Sequence, residues 1–542
     1  MFAAECENRH GGVMKLKAYG KFLAVGCLAA VCGLGLRAAT VSGTVKGPDG
    51  AAFMGAFVEA QNTQTRITYI ALSDSAGRYR VDRMPAGEYR VSIRAVGFRA
   101  DPQGGVKLAA SQNGSLDFAL QKSTVRWNDL SIAQASKLWP AGPGKDKIFS
   151  TCFTCHGFQT RMASVSRDAD GWLDRVNFMR TAMKFGLDGS VSDEQASMIA
   201  GYLTQLYGPD STLPKSPADL PEYKDTVRPF SPGAMNIHFV EYEMPGPSRM
   251  PFSAYPGKEG YLWIPEFGIA NKLGRLDPKT GVVDEYPVPN VGTAGIHSAA
   301  EAPDGTVWMA EQGSNKLAMW DPKTQKMTEY QDRINPAKKA YAAGSKHTVR
   351  FTADGTPWFS GDPFGKFDRT TGEFTDVAEV PSSYDVKPDK DGNVWFTKLS
   401  VPYGFGRIDA KTMKVSMWFP PEKTAFPRRL EIAPDGIIWS GEFRGGKMLR
   451  FDPKTEDIKE FPLPGPQPTP YPIGIDKEGY IWYASYNMDV LGRFDPKTDT
   501  TVEYPFPHSE NTIRELILDS EGRMWYGAPS NNKVGYFYLT PQ

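Results

Sequence analysis

Pro303-Asp304-Gly305-Thr306-Val307-Trp308 is followed by Asn315-Lys316-Leu317 and then by Asp321-Pro322-Lys323-Thr324. A glycine turn, a strand carrying tryptophan, a second turn and a further strand make one unit of antiparallel sheet. The unit recurs. Trp263, Trp308, Trp358, Trp395, Trp439, Trp482 and Trp525 each follow such a turn, at steps of roughly 37 to 50 residues, the length of one four-stranded propeller blade. Asp277-Pro278-Lys279-Thr280, Asp452-Pro453-Lys454-Thr455 and Asp495-Pro496-Lys497-Thr498 repeat the second turn. Asp284-Glu285-Tyr286-Pro287 and Val502-Glu503-Tyr504-Pro505 repeat an edge strand. Phe239-Val240-Glu241-Tyr242 is an outer strand with no blade before it, and the last blade, ending in Tyr536-Phe537-Tyr538-Leu539, lacks one. Pairing the two predicts a closed ring of seven blades over residues 235–542 and removes an exposed edge.

Composition agrees with a mainly β, multidomain protein. The chain has 542 residues, with 54 glycines and 43 prolines spread along it. Its 62 basic and 62 acidic side chains cancel, which argues against a nucleic-acid partner, since phosphate binding needs a basic excess. A content of 40% hydrophobic and 12% aromatic residues excludes general disorder.

Phe22 to Leu36 is an apolar run preceded by Lys15, Lys17 and Lys21, with Ala38 and Ala39 after it. It is short for a membrane span and suits a signal peptide over residues 1–39, which places the mature chain in the periplasm; a membrane anchor is the weaker reading. Cys6, Cys27 and Cys32 would leave with that segment, so the mature chain keeps Cys152 and Cys155.

Cys152-Phe153-Thr154-Cys155-His156 has the spacing of c-type haem attachment. Two thiols so placed bond the two vinyl groups of one porphyrin, and the adjacent imidazole ligates iron. A redox dithiol would need a βαβ context, and a zinc site would need two more ligands. Around the motif, Lys145 to Ser150, Asp170 to Lys184 and Ser192 to Tyr207 have helical patterning, with Ser192 and Gln195 forming a capping box. Gly171-Trp172-Leu173-Asp174-Arg175-Val176-Asn177-Phe178-Met179, Ser192-Asp193-Glu194-Gln195 and Gly201-Tyr202-Leu203 resemble the small all-α cytochrome c domains of quinohaemoprotein amine dehydrogenases. Met162, Met179, Met183 and Met198 are all candidates for the distal iron ligand; the resemblance, which spans residues 126–226, favours Met179, with Met183, one helical turn on, as the alternative.

Residues 40–122 read as short strands and turns. Val41-Ser42-Gly43-Thr44-Val45, Gly77-Arg78-Tyr79-Arg80-Val81 and Gly87-Glu88-Tyr89-Arg90-Val91 resemble the carboxypeptidase regulatory-like β-sandwich, which implies a structural or contact module without catalysis.

In a propeller the innermost strands line the channel. Eleven residues before each tryptophan stand Phe252, His297, His347, Tyr384, Arg428, Tyr471 and Arg514; three after it stand Glu266, Glu311, Gly361, Lys398, Glu442, Ser485 and Ala528. Both sets are expected near the axis. Arg428 and Arg514 suit an anionic small-molecule ligand, and Tyr384 and Tyr471 could stack on a ring.

The repeats, above all 303–308 with 315–317, resemble the virginiamycin B lyase (streptogramin lyase) family of seven-bladed propellers. That resemblance implies paired histidines and glutamates that hold Mg²⁺ and supply the base for elimination opening of a lactone. Carried over, it implies catalytic His297, Glu311 and His347, and metal ligation by Glu266, His297, Glu311 and His347. Gly361 stands where the second glutamate belongs, leaving Glu266 or Asp362 for its role. A hard cation would polarise the ester while a neutral imidazole takes the adjacent proton.

Three functions are therefore expected. The favoured one is a periplasmic electron-transfer protein carrying one haem c, with a propeller that binds a small molecule and a redox partner protein or quinone-linked chain. The second is a metal-dependent carbon–oxygen lyase with an accessory haem domain. The third is a non-catalytic cell-envelope binding protein.

Overall fold

The computed structural model describes residues 38–181, 191–289, 295–333, 345–380 and 382–541. The expected signal peptide lies outside them except for its last two residues, and Met183 lies outside them altogether. Ala39, fully buried, already opens the first strand, Ala39–Lys46. Among the described residues no helix is long and apolar enough to cross a membrane.

The blades form because each repeat satisfies its own turns. Asp389, Asp476 and Asp519 each accept backbone N–H groups of the turn that follows and then the indole Nε1 of Trp395, Trp482 or Trp525, at 2.7–3.0 Å. In the second turn Asp277 takes the Lys279 amide and the Thr280 hydroxyl, and Asp321 does the same with Lys323 and Thr324. These are aspartate-capped turns, stable without help from distant residues.

Six four-stranded antiparallel sheets follow one another, and a seventh combines the last three strands of the chain with Ile237–Glu243. As the unmatched ends require, Ile237–Glu243 pairs along its whole length with Lys533–Leu539. The ring does not stop there. Phe239, Val240 and Glu241 also pair with Ile70, Tyr69 and Thr68, so the N-terminal β domain continues the seventh blade into one eight-stranded sheet. An open blade edge is thereby covered by an edge of the sandwich-like domain.

Among the described residues of 126–226 are four α-helices: α1 (Ile132–Leu138), α2 (Lys145–Thr151), α3 (Ala169–Thr181) and α4 (Asp193–Tyr207). Ser192 and Gln195 make the expected reciprocal cap at the start of α4. The expectation of a self-contained all-α domain needs correction. Trp139, Ile148, Phe153, Phe158, Trp172 and Leu203 share one core with the propeller residues Tyr384, Phe426, Phe443, Tyr471 and Tyr486. The helices therefore complete their core against the ring.

Candidate functional site

In every blade the tryptophan lies on the second strand, and the strand before it is innermost. Five of the residues eleven before the tryptophan enter that first strand at or beside a bulge. Register shifts occur across His297, across His347–Thr348, Tyr384–Asp385, Arg428–Arg429 and Tyr471–Pro472. A bulge re-aims side chains that simple alternation would send elsewhere. Here bulges turn five of the side chains, and Phe252 and Arg514 just ahead of their strands join them in one buried layer at the channel mouth.

The layer is tightly packed. The His297 and His347 rings lie 3.6 Å apart, His347 lies 4.0 Å from Tyr384, and Phe252 meets His297 edge-on. The Tyr384 and Tyr471 hydroxyls hydrogen-bond each other. Arg428 lies over Phe443 at 3.9 Å and Tyr471 at 4.4 Å, and Arg514 lies 5.1 Å from the Phe252 centroid. Burial, the neighbouring His347 and Arg429 hold His297 well below its ordinary pKa, and burial with Arg429 does the same to His347. Both imidazoles are therefore neutral near pH 7.

The glutamates expected with them end second strands, and Glu311 pairs with Ile296, the neighbour of His297. Glu266, Glu311 and Glu442 end second strands opposite Lys272, Lys316 and Lys447. Each lysine reaches a glutamate of its outer strand: Glu285 at 2.5 Å, Glu329 at 2.8 Å and Glu460 at 2.8 Å. Glu266 faces Arg249 at 3.5 Å, and Glu311 accepts from Ser314. In three of the seven blades the position three after tryptophan is thus a fully buried glutamate, and burial, with Glu285 or Glu460 nearby, pushes Glu266 and Glu442 up to about 8. Gly361 cannot carry a glutamate: its φ is +134°, and a Cβ there would lie 2.0 Å from the Ser345 carbonyl oxygen. Asp362 is exposed. Among the described residues no group of three or more His, Cys, Asp or Glu is placed to hold a metal ion, so the expected Mg²⁺ set Glu266, His297, Glu311 and His347 is not brought together.

One layer deeper, charge is balanced. Arg429 bonds Asp385 at 2.9 Å and meets Glu515 at 3.0 Å, and Arg350 meets Glu515 at 2.7 Å. Beyond this plug a cavity of about 440 Å³ opens at the far mouth, lined in part by Tyr255, Lys387, Glu431 and Lys477.

The near mouth is covered by the cysteine motif. Cys152–Thr154 forms a 3₁₀ turn after α2. Arg428 donates to the Thr154 carbonyl at 3.2 Å and Arg514 to that of Cys155. Glu510 accepts from the Thr160 amide at 2.9 Å and Arg161 at 3.1 Å, while Asp489 meets Gln159 at 3.4 Å. Glu510 and Asp489, in loops of the last two blades, were not expected from the sequence; the run His508-Ser509-Glu510-Asn511 just ahead of Arg514 is the only local sign of them.

His156 Nδ1 lies 2.6 Å from the Gly157 carbonyl oxygen. A carbonyl only accepts, so the proton sits on Nδ1 and Nε2 keeps its lone pair, the arrangement of a metal-ligating histidine. Burial pushes His156 down to about 4, and it is neutral. Cys152 and Cys155 are not joined to each other. Burial pushes the Cys152 thiol up to about 12, which is unsuited to thiolate redox chemistry. These features fit covalent haem c, attached through Cys152 and Cys155 and ligated by His156. Met179 is half-buried on α3.

Residues 293–540 match the virginiamycin B lyase family, and residues 40–121 match the carboxypeptidase regulatory-like domain. Residues 126–226 lie outside both matches. No curated protein matches the chain. A streptogramin B lyase structure is 24% identical, with a TM-score of 0.51 over 57% of this chain and all of that one. Virginiamycin B lyase from Staphylococcus aureus is 21% identical, with a TM-score of 0.50 over 56% of this chain and all of that one. A catalytically inactive variant of the latter with quinupristin gives the same values. At these identities the likeness establishes the propeller fold of the C-terminal region.

Proposed function

We propose that this chain is an exported c-type cytochrome joined to a seven-bladed propeller, and that it transfers single electrons in the periplasm. One observation supports the reading: the Cys152–His156 turn, with the His156 Nδ1 proton held by the Gly157 carbonyl, is seated on the axial mouth of the ring by Arg428, Arg514 and Glu510. When bound, haem supplies one-electron exchange between a donor and a redox partner protein or quinone-linked chain. The chain's own residues do the rest. Cys152 and Cys155 tether the porphyrin, the Gly157 carbonyl orients His156, and the propeller holds the turn rigid against a shared aromatic core. Met179 is the proposed distal ligand.

The lyase reading has less support. His297 and His347 are each only 2% exposed, and the cysteine turn covers their mouth. The substrate of an elimination reaction must reach the base, and no lactone reaches His297 with that turn in place. Glu266 faces Arg249 and Glu311 accepts from Ser314, and with the two histidines they form no group placed to hold a metal ion among the described residues.

A pyridine haemochrome spectrum of protein matured in the periplasm tests the proposal. A c-type band is expected, with haem that stays on the polypeptide under denaturation and is lost in the Cys152→Ala, Cys155→Ala double variant. Colourless mature protein would end it.

A further inference from the structure

Within the layer that holds His297 and His347, the charges do not cancel. Arg428 and Arg514 are 3% and 7% exposed. Neither has a carboxylate within ion-pair distance among the described residues. The contrast with the next layer is direct, since there Arg429 and Arg350 meet Asp385 and Glu515. Each mouth arginine spends one nitrogen on a motif carbonyl. Arg514 Nε and Nη1, Arg428 Nε, His297 Nδ1 and the Tyr486 hydroxyl have no hydrogen-bond partner among the described residues. Aromatic faces around both arginines ease their burial, but Arg514 keeps two donors, and Arg428 one, without a hydrogen-bond partner among the described residues. Two buried cations with unmet donors are costly unless an anion completes them, as any unpaired buried charge is.

We infer that this closed mouth binds one small oxyanion, a carboxylate or an inorganic oxyanion, held by Arg514 beside the His297–His347 pair and backed by Arg428. Guanidinium donors match oxyanion acceptors in geometry and charge, and neutral His297 adds a donor without adding charge. Water could meet the donors but would leave both charges uncompensated. Because Arg514 also holds the Cys155 carbonyl, the anion and the cysteine turn share one side chain, and occupancy of the site tightens the seat of the turn. This site needs no haem, and it stands or falls separately from the electron-transfer reading.

Formate and nitrate are the probes, titrated by calorimetry into full-length mature protein in chloride-free buffer. One site per chain is expected, weakened at least tenfold in Arg514→Gln and unchanged in Arg444→Gln, an exposed arginine. Arg514→Lys keeps the charge and loses the fork, so it guards against a misfolded Gln variant; at least threefold weaker binding is expected. No binding to the parent protein, or equal affinity in either Arg514 variant, would overturn the inference. So would an anion-induced Soret shift that persists in those variants, since it would put the anion on iron. A colourless protein that still binds formate through Arg514 would remove the cytochrome reading and leave this one intact.

Discussion

Arg514, in the last blade, donates a hydrogen bond to the backbone carbonyl of Cys155, 359 positions earlier in the chain. With Arg428 on Thr154 and Glu510 on Thr160 and Arg161, it fixes the Cys152–His156 turn to the axis of a propeller. The helical segment and the ring are therefore one mechanical unit at this point.

Glu510 tests that unit. It is buried and accepts from Thr160, Arg161 and Ser530. Glu510→Ala removes the acceptor and leaves its donors unmet, for a cost of about 3 kcal/mol. Urea unfolding should show the loss, and limited proteolysis should cut near 157–165 sooner than in the parent.

Asp489 predicts a pH dependence. Burial pushes its carboxyl up from 3.8 to about 7, against the Asn511 and Glu510 amides that favour the ionised form. Between about pH 4 and 7 the folded chain holds a proton that the unfolded chain has released, so stability falls as pH rises through that window. The size is at most about 4 kcal/mol. Asp489→Asn should lose this decline, and urea midpoints at pH 5 and pH 8 should differ less in the variant than in the parent.

Glu241 predicts the opposite slope at the ring closure. Burial opposes its ionisation, yet His508 at 2.7 Å and Lys533 at 2.9 Å overcome burial and hold the carboxyl well below its ordinary range. Its contribution is complete above about pH 4.5 and is lost as pH falls below that. Glu241→Gln strands Lys533 and should destabilise by about 3–5 kcal/mol at pH 7, with a smaller difference from the parent at pH 3, read by chemical unfolding.

Gly361 tests why the second glutamate is missing. Gly361→Ala forces a Cβ against the Ser345 carbonyl at a positive φ, at a cost of at least about 2 kcal/mol. A lowered melting temperature is expected, and Gly361→Glu should be no better tolerated.

Much of the fold was legible locally. The capped aspartate turns and the tryptophans repeat because each blade satisfies its own hydrogen bonds, so spacing alone finds the ring and its closing strand. The layer eleven residues before tryptophan was legible for the same reason. The role of Glu266 and Glu311 was not. A sequence does not say which strand is innermost, and both residues sit on the second strand, opposite Lys272 and Lys316 in register. Nor does alternation reveal the bulges that turn His297 and His347 together.

By itself, the sequence determined the periodic ring, the small β domain and the Cys152–His156 motif, since each is written in short-range spacing and turn chemistry. Only the tertiary structure decided that the cysteine turn closes the propeller mouth and that the sandwich-like domain extends the seventh blade. It alone revealed two buried arginines without a counter-ion. Those outcomes depend on residues hundreds of positions apart meeting to bury apolar surface, cover open strand edges and pair charge, and no local pattern records such meetings.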